Sequence, residues 1–285
     1  VLGPMLFILY TSDLSSVFNS TYSCYADDTK LFVNPLTCAQ TLQNDLTCIA
    51  NWSRDWNLPM NASKCCVLHI GRNNPMMSFS LLNETIPAVS SHCDLGVIIN
   101  TTLTWSDHVN HICSKSKRFI YLLEKSFNGC DTSTCGLLYK TYVRPLLEFA
   151  GPVWCPILVR DHDLLESLQR RATRIPYGAT RPDYSERLRI FGLTSFSDRR
   201  RRGDLITTFR AIRGLFGIDL SHLYKLSTNN LRGHSYKLQK EAFRTTVRQH
   251  FLSNRIFEHN SLPDFVVNAG SVNCFKNNLD KTLSS

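Results

Sequence analysis

Two adjacent carboxylates, Asp27 and Asp28, are the residues whose types and spacing are best suited to chemistry. They follow Tyr25-Ala26 and lie between two short β-prone segments, a pattern that predicts a β-hairpin with acid at its tip. Neighbouring like charges repel, and a divalent cation relieves that repulsion. Hard cations such as Mg²⁺ prefer carboxylate oxygen, so the pair predicts metal-assisted phosphoryl chemistry. The alternative is a solvated turn, where Asp is common in any case.

Length and charge favour a folded protein that binds a polyanion. The 285 residues are 43% hydrophobic, enough for a core, and the length predicts about two domains. The net charge of +9 is uneven: residues 1–100 hold 4 Lys or Arg against 7 Asp or Glu, whereas 101–285 hold 28 against 16. An acidic first part and a basic remainder are typical of a metal site beside a nucleic-acid surface. A basic balance alone also occurs in proteins without such a partner.

Cysteine spacing and hydropathy argue against two other classes. The 11 cysteines include no Cys-x-x-Cys pair, so we expect no zinc site and reduced thiols. His108 and His111 have chelating spacing on a predicted helix, but no second pair matches them. The apolar start of the chain is too short to span a bilayer, and no membrane partner is expected.

Apolar periodicity predicts a mixed α+β region followed by a helical one. A capping box at Ser195-x-x-Asp198 opens one of the helices. The predicted strands cover 65–70, 78–82 and 93–99, and the predicted helices cover 4–18, 37–56, Trp105 to near Asn128-Gly129, 137–149, 161–174, 184–191, the segment from Ser195 and 272–283.

Several short motifs follow one another along the chain in a fixed order. They are Val1-Leu2-Gly3-Pro4, Phe7-Ile8-Leu9-Tyr10, Tyr25-Ala26-Asp27-Asp28, Asn61-Ala62-Ser63-Lys64-Cys65, Leu95-Gly96-Val97, and the segments 142–150, 168–173, 199–206 and 275–280. Each motif is weak to moderate alone. Their order and spacing resemble the reverse transcriptase of LINE-type, non-LTR retrotransposons, in particular of Jockey-like elements, and the resemblance covers nearly the whole chain.

The resemblance implies three parts. Residues 1–100 would be a partial α+β polymerase palm, an acidic β-hairpin plus helices, without the fingers and the first catalytic strand. Residues 101–215 would form an all-α thumb. Residues 216–285 would be a mixed, mostly helical C-terminal region that is weakly defined.

The resemblance also implies roles for the acidic hairpin. Asp27 and Asp28 would be catalytic ligands of Mg²⁺ or Mn²⁺ in a two-metal mechanism. Tyr25 and Ala26 would lie at the primer end. The family's other metal-binding Asp belongs to an earlier strand, and Asp13, the only earlier acid here, falls at a structural position. We therefore expect no measurable DNA synthesis from these 285 residues alone.

Two further positions take roles from the resemblance. Lys64 would lie near the nucleotide phosphates as a catalytic residue, with an ordinary surface lysine as the alternative. Gly96 would allow close backbone approach in a hairpin that supports the primer strand, although a strand glycine also marks bulges.

Basic residues in the helical part are candidates for holding backbone phosphates without reading sequence. The alternative for each cluster is a solvated helix face. The candidates are Lys115, Lys117, Arg118, Arg170, Arg171, Arg174, Arg199 and Arg200, the last two within the run 199–202.

The function implied is part of an RNA-directed DNA polymerase that acts in the nucleus. Its partners would be an RNA template, a DNA primer and, in the full-length enzyme, deoxynucleoside triphosphates. Two alternatives remain open. One is a non-catalytic nucleic-acid-binding remnant, and the other is a degenerate transposon relic.

Overall fold

The computed structural model describes residues 2–127, 129–177, 180–227 and 233–284. Val1, in the first motif, and Asn128, at a predicted helix end, lie outside these residues. The chain divides into two units, Val1–Leu103 (unit 1) and Thr104–Ser285 (unit 2). Both are built from helices, and unit 1 adds small two-stranded sheets. The assignment of palm, thumb and C-terminal region to 1–100, 101–215 and 216–285 stays a prediction.

The core of unit 1 forms under one amphipathic helix, α2, which spans Ala39–Asp55. Ile49 and Ala50 of this helix are buried against Phe79, Leu81 and Ile86. In chain order the elements are α1 Leu2–Tyr10, a 3-10 turn Leu14–Val17, β1 Thr21–Tyr25, β2 Asp28–Phe32, α2 Ala39–Asp55, a 3-10 turn Ala62–Lys64, β3 Val67–Leu68, β4 Ser80–Leu81, β5 Glu84–Thr85, β6 Ala88–Val89, β7 Ser91–Asp94 and β8 Val97–Asn100.

The strands of unit 1 pair as three hairpins and one short parallel ladder. β1 pairs antiparallel with β2, β4 with β5, and β7 with β8, whereas β3 and β6 are parallel. The single strand predicted over 93–99 is wrong, because the chain reverses at Leu95-Gly96. Both of these residues have positive φ, 45° and 84°, which is the sign pattern of a type I′ hairpin turn.

The apolar helix predicted over 4–18 is divided in the structure. α1 ends at Tyr10, and a separate 3-10 turn begins at Leu14. α1 buries none of its side chains. The Tyr10 and Trp56 rings lie nearly perpendicular with their centres 4.9 Å apart, and the Tyr10 hydroxyl donates to the Trp56 carbonyl at 2.8 Å.

Unit 2 is a helical assembly in which α3 (Ser106–Ser126) packs on α6 (Val159–Ala172). Val109, Ile112 and Ile120 form the buried stripe of α3, opposite Leu165 and Leu168 of α6. The helices are α3 Ser106–Ser126, α4 Thr132–Leu138, α5 Arg144–Glu148, α6 Val159–Ala172, α7 Tyr184–Phe191, α8 Phe196–Ile212, α9 Thr246–Gln249, α10 Leu252–Arg255, α11 Asp264–Val267 and α12 Val272–Ser284.

The helix predicted over 137–149 contains a wider turn. A π-helical segment, Tyr139–Val143, joins α4 to α5, and Pro145 follows it near the start of α5. Proline lacks an N–H and clashes with the preceding turn, and a wider turn accommodates it. The predicted N-cap at Ser195 is confirmed: its hydroxyl accepts the Asp198 N–H at 3.1 Å at the start of α8 and donates to the Asp198 carboxylate at 2.6 Å.

α8 and α12 share one apolar core. Leu205 and Phe209 are buried with Phe275 and Leu279, and the rings of Phe209 and Phe275 stack at 4.3 Å. The end of the chain is therefore packed against the middle of unit 2. None of the helices in the described ranges combines the length and the apolar character needed to cross a bilayer.

The expectation that all thiols stay reduced is wrong at one pair. Cys130 and Cys135 form a disulfide, with their Cα atoms 6.3 Å apart. Asp131 caps the first turn of α4 between them, accepting the Ser133 and Thr134 N–H groups at 3.0 Å. This turn brings two residues only five positions apart within bonding range.

Candidate active site and basic surfaces

The acidic hairpin closes through a two-residue turn. Tyr25 pairs with Asp28 at the end of the ladder, which leaves Ala26 and Asp27 as the turn residues. Ala26 has φ of 52° whereas Asp27 has a negative φ, the sign pattern of a type II′ turn. Asp27 and Asp28 are both exposed at this tip.

The tip is chemically suited to a hard cation. Within the described ranges, neither the Asp27 nor the Asp28 carboxylate has a hydrogen bond or an ion pair, so their oxygens are available as ligands. No group of three or more His, Cys, Asp or Glu residues in the described part of the chain is arranged to hold a metal. Asp13 instead accepts a hydrogen bond from the Trp52 indole at 3.2 Å, which is a structural contact.

A buried carboxylate fixes the entry to this hairpin. Asp45 is fully buried on α2, and its two oxygens accept the backbone N–H groups of Asn19 and Ser20 at 3.0 and 2.8 Å. Burial raises the pKa of Asp45, but the hydrogen bonds from Ser20 and Asn19 outweigh it and lower the pKa. The carboxylate therefore stays charged and anchors the residues that lead into β1.

Replacing Asp45 with alanine is expected to cost about 1–3 kcal/mol, because two backbone donors lose their acceptor. Amide hydrogen exchange should accelerate across β1 and β2, and urea unfolding would give the total loss of stability. Asp55→Ala is the matched control, since Asp55 is exposed at the end of the same helix. Equal effects of the two changes would contradict the anchoring role.

An ion pair joins two of the hairpins of unit 1, β1–β2 and β7–β8. The Lys30 ammonium on β2 lies 2.5 Å from an Asp94 oxygen on β7, and both side chains are largely covered. Asp94 immediately precedes the Leu95-Gly96 turn. The acidic hairpin and the Gly96 hairpin are thus connected directly, by a pair that no sequence pattern predicts.

Lys64 lies at the end of a 3-10 turn and is exposed. The residues just before it, Asn61, Ala62 and Ser63, line an open cavity of about 520 Å³ with Leu82 and Glu84. Lys64 itself is not among the lining residues. Its placement near nucleotide phosphates stays a prediction.

The predicted phosphate contacts fall into two groups, those whose side chains are exposed or line a cavity and those already engaged by other residues of unit 2. Lys115, Lys117 and Arg118 are exposed on α3. Arg170 and Arg174, on and just after α6, line a cavity with Arg181 and Arg187, two arginines that sequence reasoning did not select.

The other predicted arginines already have partners within unit 2. Arg171 donates to both oxygens of Glu124 at 2.8 and 2.6 Å, and Arg199 forms a two-pronged pair with Glu148. The Arg200 guanidinium lies 4.0 Å from the centre of the Trp154 ring. These contacts stabilise the fold, so any contact of these three residues with phosphate would compete with them.

Comparison with known proteins agrees with the motif order. Residues 1–123 match the family described as Reverse transcriptase (RNA-dependent DNA polymerase). This range contains the acidic hairpin, the Lys64 turn and the Gly96 hairpin. No solved structure matches the chain significantly.

Three curated relatives come from fruit flies. The RNA-directed DNA polymerase from mobile element jockey of Drosophila melanogaster is 27% identical over 199 residues, 63% of this chain and 21% of the relative. Its counterpart in Drosophila funebris is 27% identical over 200 residues, again 63% and 21%. The probable RNA-directed DNA polymerase from transposon X-element of Drosophila melanogaster is 24% identical over 192 residues, 62% and 21%.

The matched part thus spans about a fifth of the length of these relatives. Residues 1–123 carry the family match, and the similarity to the jockey polymerases extends beyond them. Residues 1–123 thus match the reverse transcriptase family, and the polymerases of the non-LTR elements jockey and X-element are among the proteins to which the chain is similar.

Proposed function

We propose that this chain forms the rear of a polymerase palm, with its thumb, in an RNA-directed DNA polymerase. The observation that carries the proposal is the exposed Asp27-Asp28 tip inside a region that matches the reverse transcriptase family. The substrates would be an RNA template, a DNA primer and deoxynucleoside triphosphates. The reaction would be nucleotidyl transfer in the full-length protein.

Different residues of unit 1 would position the metal ions and the primer end. Asp27 and Asp28 would hold Mg²⁺ or Mn²⁺, and a bound cation pair in such enzymes stabilises the attacking and the leaving oxygen. Tyr25 and Ala26 would lie at the primer end. The Lys30–Asp94 pair would hold the Gly96 hairpin beside them.

Cation binding at the tip can be tested without any activity. Mn²⁺ is paramagnetic and broadens the NMR signals of nearby amides, so we expect selective broadening at residues 25–29. The double variant Asp27→Asn/Asp28→Asn should lose it, because neutral amides are weaker ligands than carboxylates. Asp55→Asn, with an exposed acid on α2, is the control. Broadening that survives the double substitution would exclude the tip as the cation site.

We expect no measurable primer extension by these 285 residues alone on an RNA template with Mg²⁺ or Mn²⁺. Two carboxylates supply only part of the ligand set that two cations require. Incorporation of labelled nucleotide that Asp27→Asn abolishes would overturn this expectation, and it would at the same time establish Asp27 as catalytic. Incorporation unchanged by Asp27→Asn would point to a contaminating polymerase.

The exposed basic face of α3 is expected to bind RNA–DNA duplex in a salt-dependent manner. Replacing Lys115, Lys117 and Arg118 with glutamine should lower the slope of log affinity against log salt by about 2–3, since each lost phosphate contact removes about one unit. Fluorescence anisotropy at several salt concentrations measures the slope.

The control for this experiment removes the same charge elsewhere, through Lys240→Gln, Lys276→Gln and Lys281→Gln. An affinity that does not change with salt would contradict the electrostatic account. Duplex binding together with a failed Mn²⁺ test would favour the alternative function, a nucleic-acid-binding protein without catalysis.

A further inference from the structure

Four arginines converge on one open cavity in unit 2. Its volume is about 370 Å³, and the four side chains form no ion pair within the described ranges. Asp183 also lines the cavity, but its exposed carboxylate pairs with none of them. The lining residues, here called the arginine pocket, are Arg170, Arg174, Arg181, Pro182, Asp183, Tyr184 and Arg187.

Arg187 is the buried member of the arginine pocket, and no anion pairs with it within the described ranges. Arg187 is only 3% exposed. One terminal nitrogen donates to the Pro182 carbonyl at 3.2 Å, whereas Nε has no hydrogen-bond partner among the described residues. Burial, together with the charges of Arg174 and Arg181, lowers the pKa of Arg187.

A buried cation without a counter-ion is costly. The contrast within unit 2 is Arg255, which is also buried but has both oxygens of Asp204 at 2.8 Å. The arginine pocket has the cations and the cavity but lacks the anion. A ligand with a dense negative charge would act as the counter-ion of Arg187, as the Asp204 carboxylate does for Arg255.

Tyr184 fixes the geometry of the pocket. Its ring lies 4.9 Å from the Arg170 guanidinium and 5.5 Å from that of Arg187. Its hydroxyl donates to Glu166 and accepts from the Gln169 amide at 3.0 Å. Because these hydrogen bonds fix the Tyr184 ring, the ring orients the two guanidinium groups in the absence of a ligand. The paired N–H groups of a guanidinium match the spacing of phosphate oxygens.

We propose that the arginine pocket binds one backbone phosphate of the nucleic acid held by unit 2. Arg187 would supply its positive charge from the buried side of the cavity, and the exposed side chains of Arg174 and Arg181 would close over the phosphate from the rim. The choice of nucleic acid as the source of the phosphate rests on the proposed function. The competing source is a free phosphate compound, such as pyrophosphate or a nucleotide.

The test compares rim and bottom variants of the full 285-residue chain. The rim double variant, Arg174→Gln/Arg181→Gln, changes exposed residues and leaves the core intact. We expect it to weaken RNA–DNA duplex binding about tenfold and to lower the salt slope by about 2. Arg187→Gln should also weaken binding without lowering the unfolding temperature, since it removes an unpaired buried charge. Lys276→Gln/Lys281→Gln, with the same charge loss as the rim variant, is the control and should leave tight binding in place.

The possible outcomes separate this proposal from the proposed function. Wild-type binding that neither the rim variant nor Arg187→Gln weakens beyond the control overturns the pocket and leaves the function intact. Wild-type protein that binds no duplex overturns both. Pyrophosphate that raises the unfolding temperature of the wild type but not of Arg187→Gln, and that does not compete with duplex, assigns the pocket to a free phosphate compound and overturns the proposal.

Discussion

Replacing Asp204 with alanine is expected to destabilise unit 2 by about 3–5 kcal/mol, because it leaves the Arg255 guanidinium buried and uncompensated. The two side chains are only 10% and 7% exposed, and two bonds of 2.8 Å join them. Arg255 also donates to the carbonyls of Gly151 and Pro152 at 3.2 and 3.1 Å. Loss of the carboxylate therefore disturbs three separate segments. Urea unfolding followed by tryptophan fluorescence measures the loss.

The control is Asp280→Ala. Asp280 also makes a two-pronged pair, with Arg202 at 2.5 and 2.8 Å, but its side chain is 50% exposed. Exposed pairs contribute up to about 1 kcal/mol. Equal losses for the two alanine variants would show that burial of the Asp204–Arg255 pair is not what makes it important.

Acidification is expected to destabilise unit 2 between pH 6.5 and about 4. His108 and His259 are both fully buried. Burial lowers the pKa of each from 6.5 to about 4, assisted by His111 at the first and by His234 at the second. In the unfolded chain the two imidazoles are protonated as the pH falls through 6.5, whereas in the folded chain they are protonated only near pH 4. Stability is therefore complete above pH 6.5 and is lost as the pH falls, by on the order of 3 kcal/mol for each histidine.

The measurement is the free energy of unfolding at several pH values. His259→Phe should flatten the dependence by about half, whatever its effect on absolute stability, because one of the two proton uptakes is removed. His222→Gln changes an exposed histidine and should leave the curve unchanged. A curve that keeps its full slope in His259→Phe would show that other groups control the acid sensitivity.

Helical periodicity predicted most of unit 2 because a helix that packs on one side repeats its apolar residues locally. The predicted helix over 184–191 is confirmed as α7, and 37–56 and 161–174 differ from α2 and α6 by a few residues. Periodicity failed at 93–99, where Cys93, Leu95, Val97 and Ile99 alternate as they would in a single strand. A turn with positive φ at Leu95 is not signalled by leucine, which rarely adopts it.

The site was predictable to the extent that it is local in sequence. The acidic hairpin needed only adjacent residues, and its ladder is confirmed. Asp45 was missed, although a carboxylate between Leu42 and Ile49 on an apolar helix stripe is a visible signal of a buried anchor. The Lys30–Asp94 pair joins residues 64 positions apart and leaves no trace in periodicity.

The four arginines 199–202 reach four different parts of unit 2, namely Glu148, the Trp154 ring, Glu258 and Asp280. Trypsin cleaves after arginine, and this run is the densest set of its cleavage points in the chain. In the folded state, however, the run is helical and its guanidinium groups are engaged. Cleavage within this run therefore requires α8 to open, and its rate measures the local unfolding of this helix.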